Sequence, residues 1–287
     1  MTAPATIRIR ADNPSPLTGT GTNSFLVGGP GGYALIDPGP DLPAHRAALL
    51  AASAGRIEAI LITHAHLDHS AGACALARAT GAPILAFGGA EAGRSALMRR
   101  LVGVEMGGGE GLDHALHPDR MLADGERIAG SGWSLTALHL PGHAAGHLAF
   151  LDEAGGAVFS GDLVFDWSTT LISPPDGDLG DYLRSLARLE GLAAGPLLPA
   201  HGEAITAPAA RLAELAAHRR MRSEQILAAL AQAPGDAAGL ARRIYDIPPA
   251  LLPAAARNVL AHLLALLAEG AVRHEGTLTA AAIFHRE

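Results

Sequence analysis

A chain of 287 residues, 49% hydrophobic and 17% charged, has material for one large domain or a domain plus an appendage, with a generous core. Its net charge of −7 argues against broad coating of nucleic acid, and its single cysteine excludes an internal disulfide or a thiolate metal cluster. All 21 basic residues are Arg, which removes lysine-dependent phosphate binding and Schiff-base chemistry.

Residues 1–13 carry no apolar run after their basic residues, so no secretory leader is expected. No stretch is expected to span a membrane, since the apolar run 259–268 contains His262 and stops at Glu269-Gly270. The expected location is the cytoplasm. Strands are predicted at 6–10, 24–27 and 33–36, the last two joined by a Gly-rich hairpin turn at 28–32. Asp41 is placed to cap a helix over 43–52, with Pro43 near its first turn. A buried strand over 57–62 then delivers Thr63-His64-Ala65-His66-Leu67-Asp68-His69, and a helix follows over 70–78 with Cys74 as a buried small residue. Residues 88–120, Gly-rich at 107–109, read as a long loop and a candidate lid. The pattern of a strand ending in Asp37, a helix, and a strand ending in His64 has an echo. Residues 157–162 end in Asp162, a helix covers 181–189, and 197–201 ends in His201. Two such halves packed face to face bring both sets of strand ends to one rim. This is the grammar of a layered α/β domain.

From Pro208 the texture becomes Ala/Leu/Arg-rich. Helices are predicted over 211–231, 238–245 and 252–268, and then a hairpin over 270–284, the layout of a winged helix. The expected organisation is a catalytic domain at 1–207 and a winged-helix-like domain at 208–287. The tail carries nine Arg against seven acidic residues, the rest twelve against twenty-one. Arg257 is the one basic residue of the third helix, so packing or formation of a homodimer is favoured over reading a DNA groove.

The motif at 63–69 carries the chemistry. Imidazole and carboxylate are ligands for Zn²⁺, Fe and Mn²⁺, and none of the four belongs in an apolar core. His64 and His66, two apart on an extended segment, share a face. Asp68 and His69 fall where the chain turns into a helix and can address a second point, so the spacing suggests two metal positions. Each then needs further ligands. His143 follows the Leu140-Pro141-Gly142 turn, Asp162 ends a strand after Gly161, and His201 repeats the strand-end His. His64, His66 and His143 would hold one metal, Asp68, His69 and His201 the other, with Asp162 bridging them.

These seven positions match the pattern HxHxDH, His, Asp, His of the metallo-β-lactamase superfamily, which the chain resembles over roughly 12–207. The resemblance implies the αββα sandwich and a site holding two Zn²⁺, with Fe or Mn²⁺ as alternatives. It also implies support for the metal loop from Asp37 and His147; His139 is left outside the ligand set. Residues 13–16, 21–24, 174–178, His218-Arg219-Arg220 and the winged-helix tail resemble the β-lactamase-like protein 2 branch of hydrolases, one animal member of which is a single-strand endoribonuclease.

Two metals sharing a water lower its pKa and generate hydroxide at neutral pH, with Asp68 orienting the water or accepting its proton. The expected function is hydrolysis of an ester, thioester or related small acyl substrate. An endoribonuclease using the same site and the Arg-bearing tail is one alternative. A glyoxalase II-like hydroxyacylglutathione hydrolase is another, although Leu163 to Thr170 is apolar and hydroxylic where glutathione would need basic and Tyr side chains. Trp167, Ser168 and Thr169 are candidates to line the substrate pocket.

Overall fold

The computed structural model describes residues 5–109, 111–192 and 195–287; the first four residues of the 1–13 segment and position 110 of the 88–120 stretch lie outside them. Strands β1 (Ala5–Arg10), β2 (Asn23–Gly29) and β3 (Gly32–Ile36) form an antiparallel meander. Strands β4 (Ile57–Leu61), β5 (Ile84–Ala86) and β6 (Arg120–Met121) extend it in parallel, giving a six-stranded sheet in sequence order. A second sheet runs β11-β10-β9-β8-β7, from β7 (Arg127–Gly130), β8 (Trp133–His139), β9 (Leu148–Asp152), β10 (Val158–Gly161) and β11 (Leu197–Pro199). Its β10 and β11 are parallel and its other neighbours antiparallel.

Strand residues alternate between two cores, as the pleat requires. Phe25, Val27, Ile36 and Leu61 of the first sheet meet Leu135, Phe150 and Phe159 of the second between the sheets. Leu26, Leu35, Ile60 and Ile62 face outward onto Leu49 of α1 (Pro43–Ser53) and Leu76, which lies beyond the short helix α2 (Leu67–Ser70) in α3 (Ala73–Thr80). On the far side, Leu138, Ala149 and Val158 pack against Tyr182, Leu186 and Leu189, which belong to the helix Leu179–Gly191. The layers are therefore α, β, β, α. The echo between the halves is physical: β3 and β4 are parallel with α1 between them, as β10 and β11 are with Leu179–Gly191.

Some local expectations need correction. Leu42, not Asp41, is the N-cap of α1, without a side-chain cap bond; Asp41 instead pairs with Arg46. Cys74 is exposed, because α3 turns Ala73 and Leu76 inward and leaves it on the solvent side. The 88–120 stretch is not all loop. It contains α4 (Ala96–Leu101), capped by Ser95, and ends in β6. With α4 introduced, the helix Leu179–Gly191 becomes α5; its N-cap Asp178 accepts from the backbone of Gly180 and Asp181.

Helices α6 (Pro208–Gln232), α7 (Ala237–Ile244) and α8 (Leu252–Ala268), with β12 (Val272–His274) and β13 (Phe284–Arg286), complete the chain. Strands pair only at the two ends of the expected hairpin, leaving 275–283 as a connecting loop. Helix α6 belongs to two cores. Its Leu212 and Leu215 pack on α5, and its Ile226 and Leu230 pack with α7, α8 and Met98, Leu101 and Met106 of the α4 region. The helical run Pro249–Ala268, 20 residues, is by length and hydropathy the one described segment apolar enough to cross a membrane, where the sequence suggested none. Its apolar side is accounted for by packing. Val259, Leu260, Leu263 and Leu264 lie in the C-terminal core, Ala261 reaches the α5 core, and His262 bonds Ser223.

Candidate metal centre

All seven candidate ligands meet at one rim of the sandwich. His64 and His66 leave the end of β4, and Asp68 and His69 sit on α2 directly after them. His143 follows β8, Asp162 follows β10, and His201 follows β11. They form overlapping triples, His64/His66/His143, His64/His69/Asp162 and Asp68/His69/His201. Within each triple the potential ligand atoms all lie within 4.8 Å of one another. His66 Nδ1 is 2.9 Å from His64 Nε2 and 3.1 Å from His143 Nε2. On the other side, His201 Nε2 lies 3.3 Å and His69 Nε2 3.5 Å from Asp68 Oδ2. Asp162 stands between the two groups: Oδ1 is 3.4 Å from both His69 Nε2 and His201 Nε2, and Oδ2 is 3.6 Å from His143 Nε2.

The outward faces of the imidazoles decide what the inward faces offer. His69 Nδ1 donates to Asp37 Oδ2 at 2.9 Å, His143 Nδ1 to the Leu171 carbonyl at 2.7 Å, and His201 Nδ1 to the Gly21 carbonyl at 3.2 Å. These acceptors cannot donate, so each Nδ1 carries the proton of the neutral ring and each Nε2 points inward as a lone pair. His64 follows by one further step. Thr63 Oγ1 donates to Asp37 Oδ2 at 2.7 Å and therefore accepts from His64 Nδ1 at 3.0 Å. With the rings neutral, four lone pairs and two carboxylates thus converge, and the buried His69 Nε2 and Asp162 Oδ1 have no hydrogen-bond partner among the described residues. A donor set of this kind repels itself unless cations lie within it, so these residues fit bound metal ions.

The geometry is held by costly backbone. Asp37 adopts a left-handed φ of 49°, an uncommon conformation for a residue with a Cβ. There it receives the Thr63 amide as well as the Thr63 hydroxyl and His69. Gly161, φ 51°, admits no side chain, because a Cβ would stand 2.6 Å from His147 Nε2. That nitrogen accepts from the Asp162 amide at 3.1 Å, which orients the Asp162 carboxylate. Asp37 and His147 are thus where the resemblance implied. His139 is elsewhere, bonded to the Ala145 carbonyl and stacked on Phe87.

Burial and charge divide the set. Burial, reinforced by neighbouring imidazoles, drives His64 well below the ordinary histidine range and His66 down to about 3. Burial also lowers His143. Burial opposes protonation of His69 and His201 too, but Asp162 and Asp68 outweigh it, raising His69 well above the ordinary range and His201 to about 9. For Asp68, burial acts upward, but His69 and His201 overcome it and pull the carboxyl down to about 2. At 30% exposure its side chain is the more open of the two carboxylates, against 9% for Asp162.

Sequence reasoning missed the Leu171 and Gly21 carbonyls, whose role leaves no trace in side-chain identity. It also missed Thr170, whose hydroxyl is 3.0 Å from His143 Nδ1. Asn23 was missed as well; it donates to the Pro199 and Gly202 carbonyls on either side of His201. Of the proposed pocket residues, Trp167 is 47% exposed and stacks on Phe165, whose ring meets His201 edge-on.

Residues 17–201 match the model of the metallo-beta-lactamase superfamily and residues 237–281 that of the beta-lactamase associated winged helix domain. The chain belongs to the metallo-beta-lactamase superfamily and carries that winged helix domain at its C-terminal end. It is 32% identical over 279 residues to a beta-lactamase-like protein 2 homolog of Drosophila melanogaster, covering 93% of this chain and 89% of the relative. It is 33% identical over 242 residues to an atrochrysone carboxyl ACP thioesterase of Aspergillus chevalieri, covering 82% and 69%. A metallo-beta-lactamase family protein of Thermus thermophilus superposes with a TM-score of 0.79 at 28% identity, covering 98% of both chains. The superfamily and these relatives identify a metallo-beta-lactamase-fold hydrolase with His/Asp groups able to hold metal.

Proposed function

We propose that this chain is a dinuclear metallohydrolase of an ester or thioester with an apolar acyl group. His64, His66 and His143 hold one metal, Asp68, His69 and His201 the other, and Asp162 is shared. The observation that carries this reading is the convergence of tautomer-locked Nε2 lone pairs and two carboxylates at one rim. Its nitrogen and oxygen donors suit Zn²⁺, with Fe or Mn²⁺ as alternatives. When bound, the metals supply an activated water and polarise the substrate oxygen.

The chain's own residues do the remaining work. Asp68, held ionised and partly open to solvent, orients the attacking water and receives its proton. The orphaned Asp162 Oδ1 and its neighbours His69 and His201 keep the second position fixed. Near these groups, Trp167, stacked on Phe165 beside His201, Leu67 beside Asp68, and Leu17, two residues before the Gly19 that lies against Trp167, are exposed apolar side chains. Such a rim favours an apolar acyl group. The likeness to an ACP thioesterase supports the thioester among acyl substrates. On the tail, Arg219 and Arg257 are engaged with backbone carbonyls inside the molecule, which weakens a role for them in gripping RNA.

The test is turnover of a panel of acyl thioesters, lactones, phosphodiesters and single-stranded RNA by metal-depleted, Zn²⁺-restored and Asp68→Asn protein. Zn²⁺ is expected to restore thioester hydrolysis, and Asp68→Asn to lower kcat by ~10²–10⁴-fold. Full activity in the chelated protein overturns the reading. Cleavage of RNA with the thioesters left intact overturns its substrate class.

A further inference from the structure

Arg219 is 3% exposed in the middle of α6, yet no carboxylate pairs with it among the described residues. A buried, unpaired guanidinium is costly and calls for a strong acceptor. Its shortest bond is from Nη2 to the Thr170 carbonyl, at 2.6 Å. Its Nη1 donates to Asn258 Oδ1 on α8 at 3.2 Å, and the guanidinium lies 5.3 Å from the centre of the Tyr182 ring. Asn258 Oδ1 in turn accepts from the amide of Ile172, also at 3.2 Å. Two helices that follow residue 207 thus seize the backbone at 170 and 172. Between those points lies the Leu171 carbonyl that accepts the hydrogen bond of His143 Nδ1, and beside it the Thr170 hydroxyl. Arg257 reinforces the grip by donating to Ser173 Oγ and to the Pro174 and Met106 carbonyls.

At the second position α6 reaches the surroundings of His201 through Arg211, which donates to the Phe165 and Ser168 carbonyls, but among the described residues neither helix holds the acceptor behind a ligand. His69 leans on Asp37 and His201 on Gly21, both in the N-terminal part of the chain. We infer that Arg219 and Asn258 are positioning residues for the first metal position: the C-terminal helices hold segment 170–172 in the one place where it can lock His143 with Nε2 facing His64 and His66. The inference rests on the two-metal reading above. It gives the C-terminal helices a function inside this molecule, selective for one of the two positions.

The experiment is Co²⁺ titration of metal-depleted full-length protein, read by visible absorption and by metal content after equilibrium dialysis, for wild type, Arg219→Met and Asn258→Ala. Wild type should take up two ions. In both variants affinity at the first position should fall ~10–100-fold, the usual cost of losing support behind a ligand, with the second position unchanged. At limiting Co²⁺ the variants then hold one ion per chain. Arg219→Lys, which keeps one donor, should recover part of the loss. Should Arg219→Met fail to fold, Asn258→Ala carries the same test alone. Two ions bound with wild-type affinities in a variant that merely melts earlier overturn the inference and leave the two-metal reading intact. A wild type that takes up one ion or none overturns both.

Discussion

At the first of the two proposed metal positions three imidazoles are buried beside one another and kept neutral, whereas at the second His69 and His201 face Asp68 and Asp162 and are drawn toward protonation. Their supports differ as well. At the first, His143 depends on the 170–172 segment and, through it, on α6 and α8, while His64 reaches Asp37 through Thr63; at the second, His69 depends directly on Asp37 after β3 and His201 on Gly21 before β2. The difference teaches that the two groups of candidate ligands at one rim are unlike in character. The first offers neutral ligands ready to bind at neutral pH. The second offers carboxylates whose charge, without a cation, is met by protons on the imidazoles.

The largest effect is expected where the two positions are joined. Among the described residues Asp162 is the one side chain whose oxygens reach toward both groups, so Asp162→Ala should remove the link, lower kcat for a thioester by roughly 1,000-fold and reduce metal uptake below two ions per chain. Metal analysis together with steady-state kinetics decides the matter. Two tightly held ions in the variant would mean that the positions are not joined through this carboxylate.

Asp37→Asn should divide the positions the other way from Arg219→Met. Asn tolerates the left-handed backbone that Asp37 adopts, so the turn itself should survive. Its amide cannot accept at both ends from the Thr63 amide, the Thr63 hydroxyl and His69 Nδ1, as the carboxylate does. Affinity at the second position should fall ~10–100-fold by loss of the His69 tautomer lock. The effect at the first position should be smaller, since His64 is touched only through Thr63. Equal loss at both positions in the same Co²⁺ titration would dissolve the contrast between them.

How much of this was legible beforehand follows from where the information lies. The candidate ligands were readable because chemistry forces His and Asp into positions where a core would reject them, and because strands ending in Asp or His recur at 37, 64, 162 and 201. A layered α/β arrangement was readable from apolar strands alternating with helices, and its αββα form from the family pattern. The supports were not, because a carbonyl such as Leu171 or Gly21 is present at every residue and only the fold decides which one faces an imidazole. Arg219 was legible only as part of His218-Arg219-Arg220, one of the stretches that carry the branch resemblance, and its role was not. On a helix with several other arginines nothing in the sequence marks the one that turns inward. Cys74 was misjudged because its burial depends on the phase of α3, which two residues of inward-facing neighbours settle against it.

The smallest of the expected effects concerns stability without metal, and here the two positions should respond to pH with opposite signs. His66 has a folded-state pKa of about 3 against an ordinary value of 6.5. Its stabilisation is therefore complete above 6.5 and is lost as pH falls from there toward 3, with His64 and His143 acting in the same direction. His201, raised from 6.5 to about 9, contributes stability that is complete below 6.5 and is lost as pH rises through 9, with His69 again in the same direction. The metal-free protein should therefore lose stability on both sides of pH 6.5, through the first position on the acid side and the second on the alkaline side. Metals displace the protons of His69 and His201, so Zn²⁺-loaded protein should lack the alkaline decline and should bind the second ion more tightly as pH rises. Urea unfolding midpoints from about pH 5 to 9, with and without Zn²⁺, read both limbs. Asp68→Asn removes one of the charges that hold those protons, so it should flatten the alkaline limb and leave the acid limb of the three neutral imidazoles in place. An alkaline limb that persists unchanged in this variant would show that the second position does not owe its protons to its carboxylates.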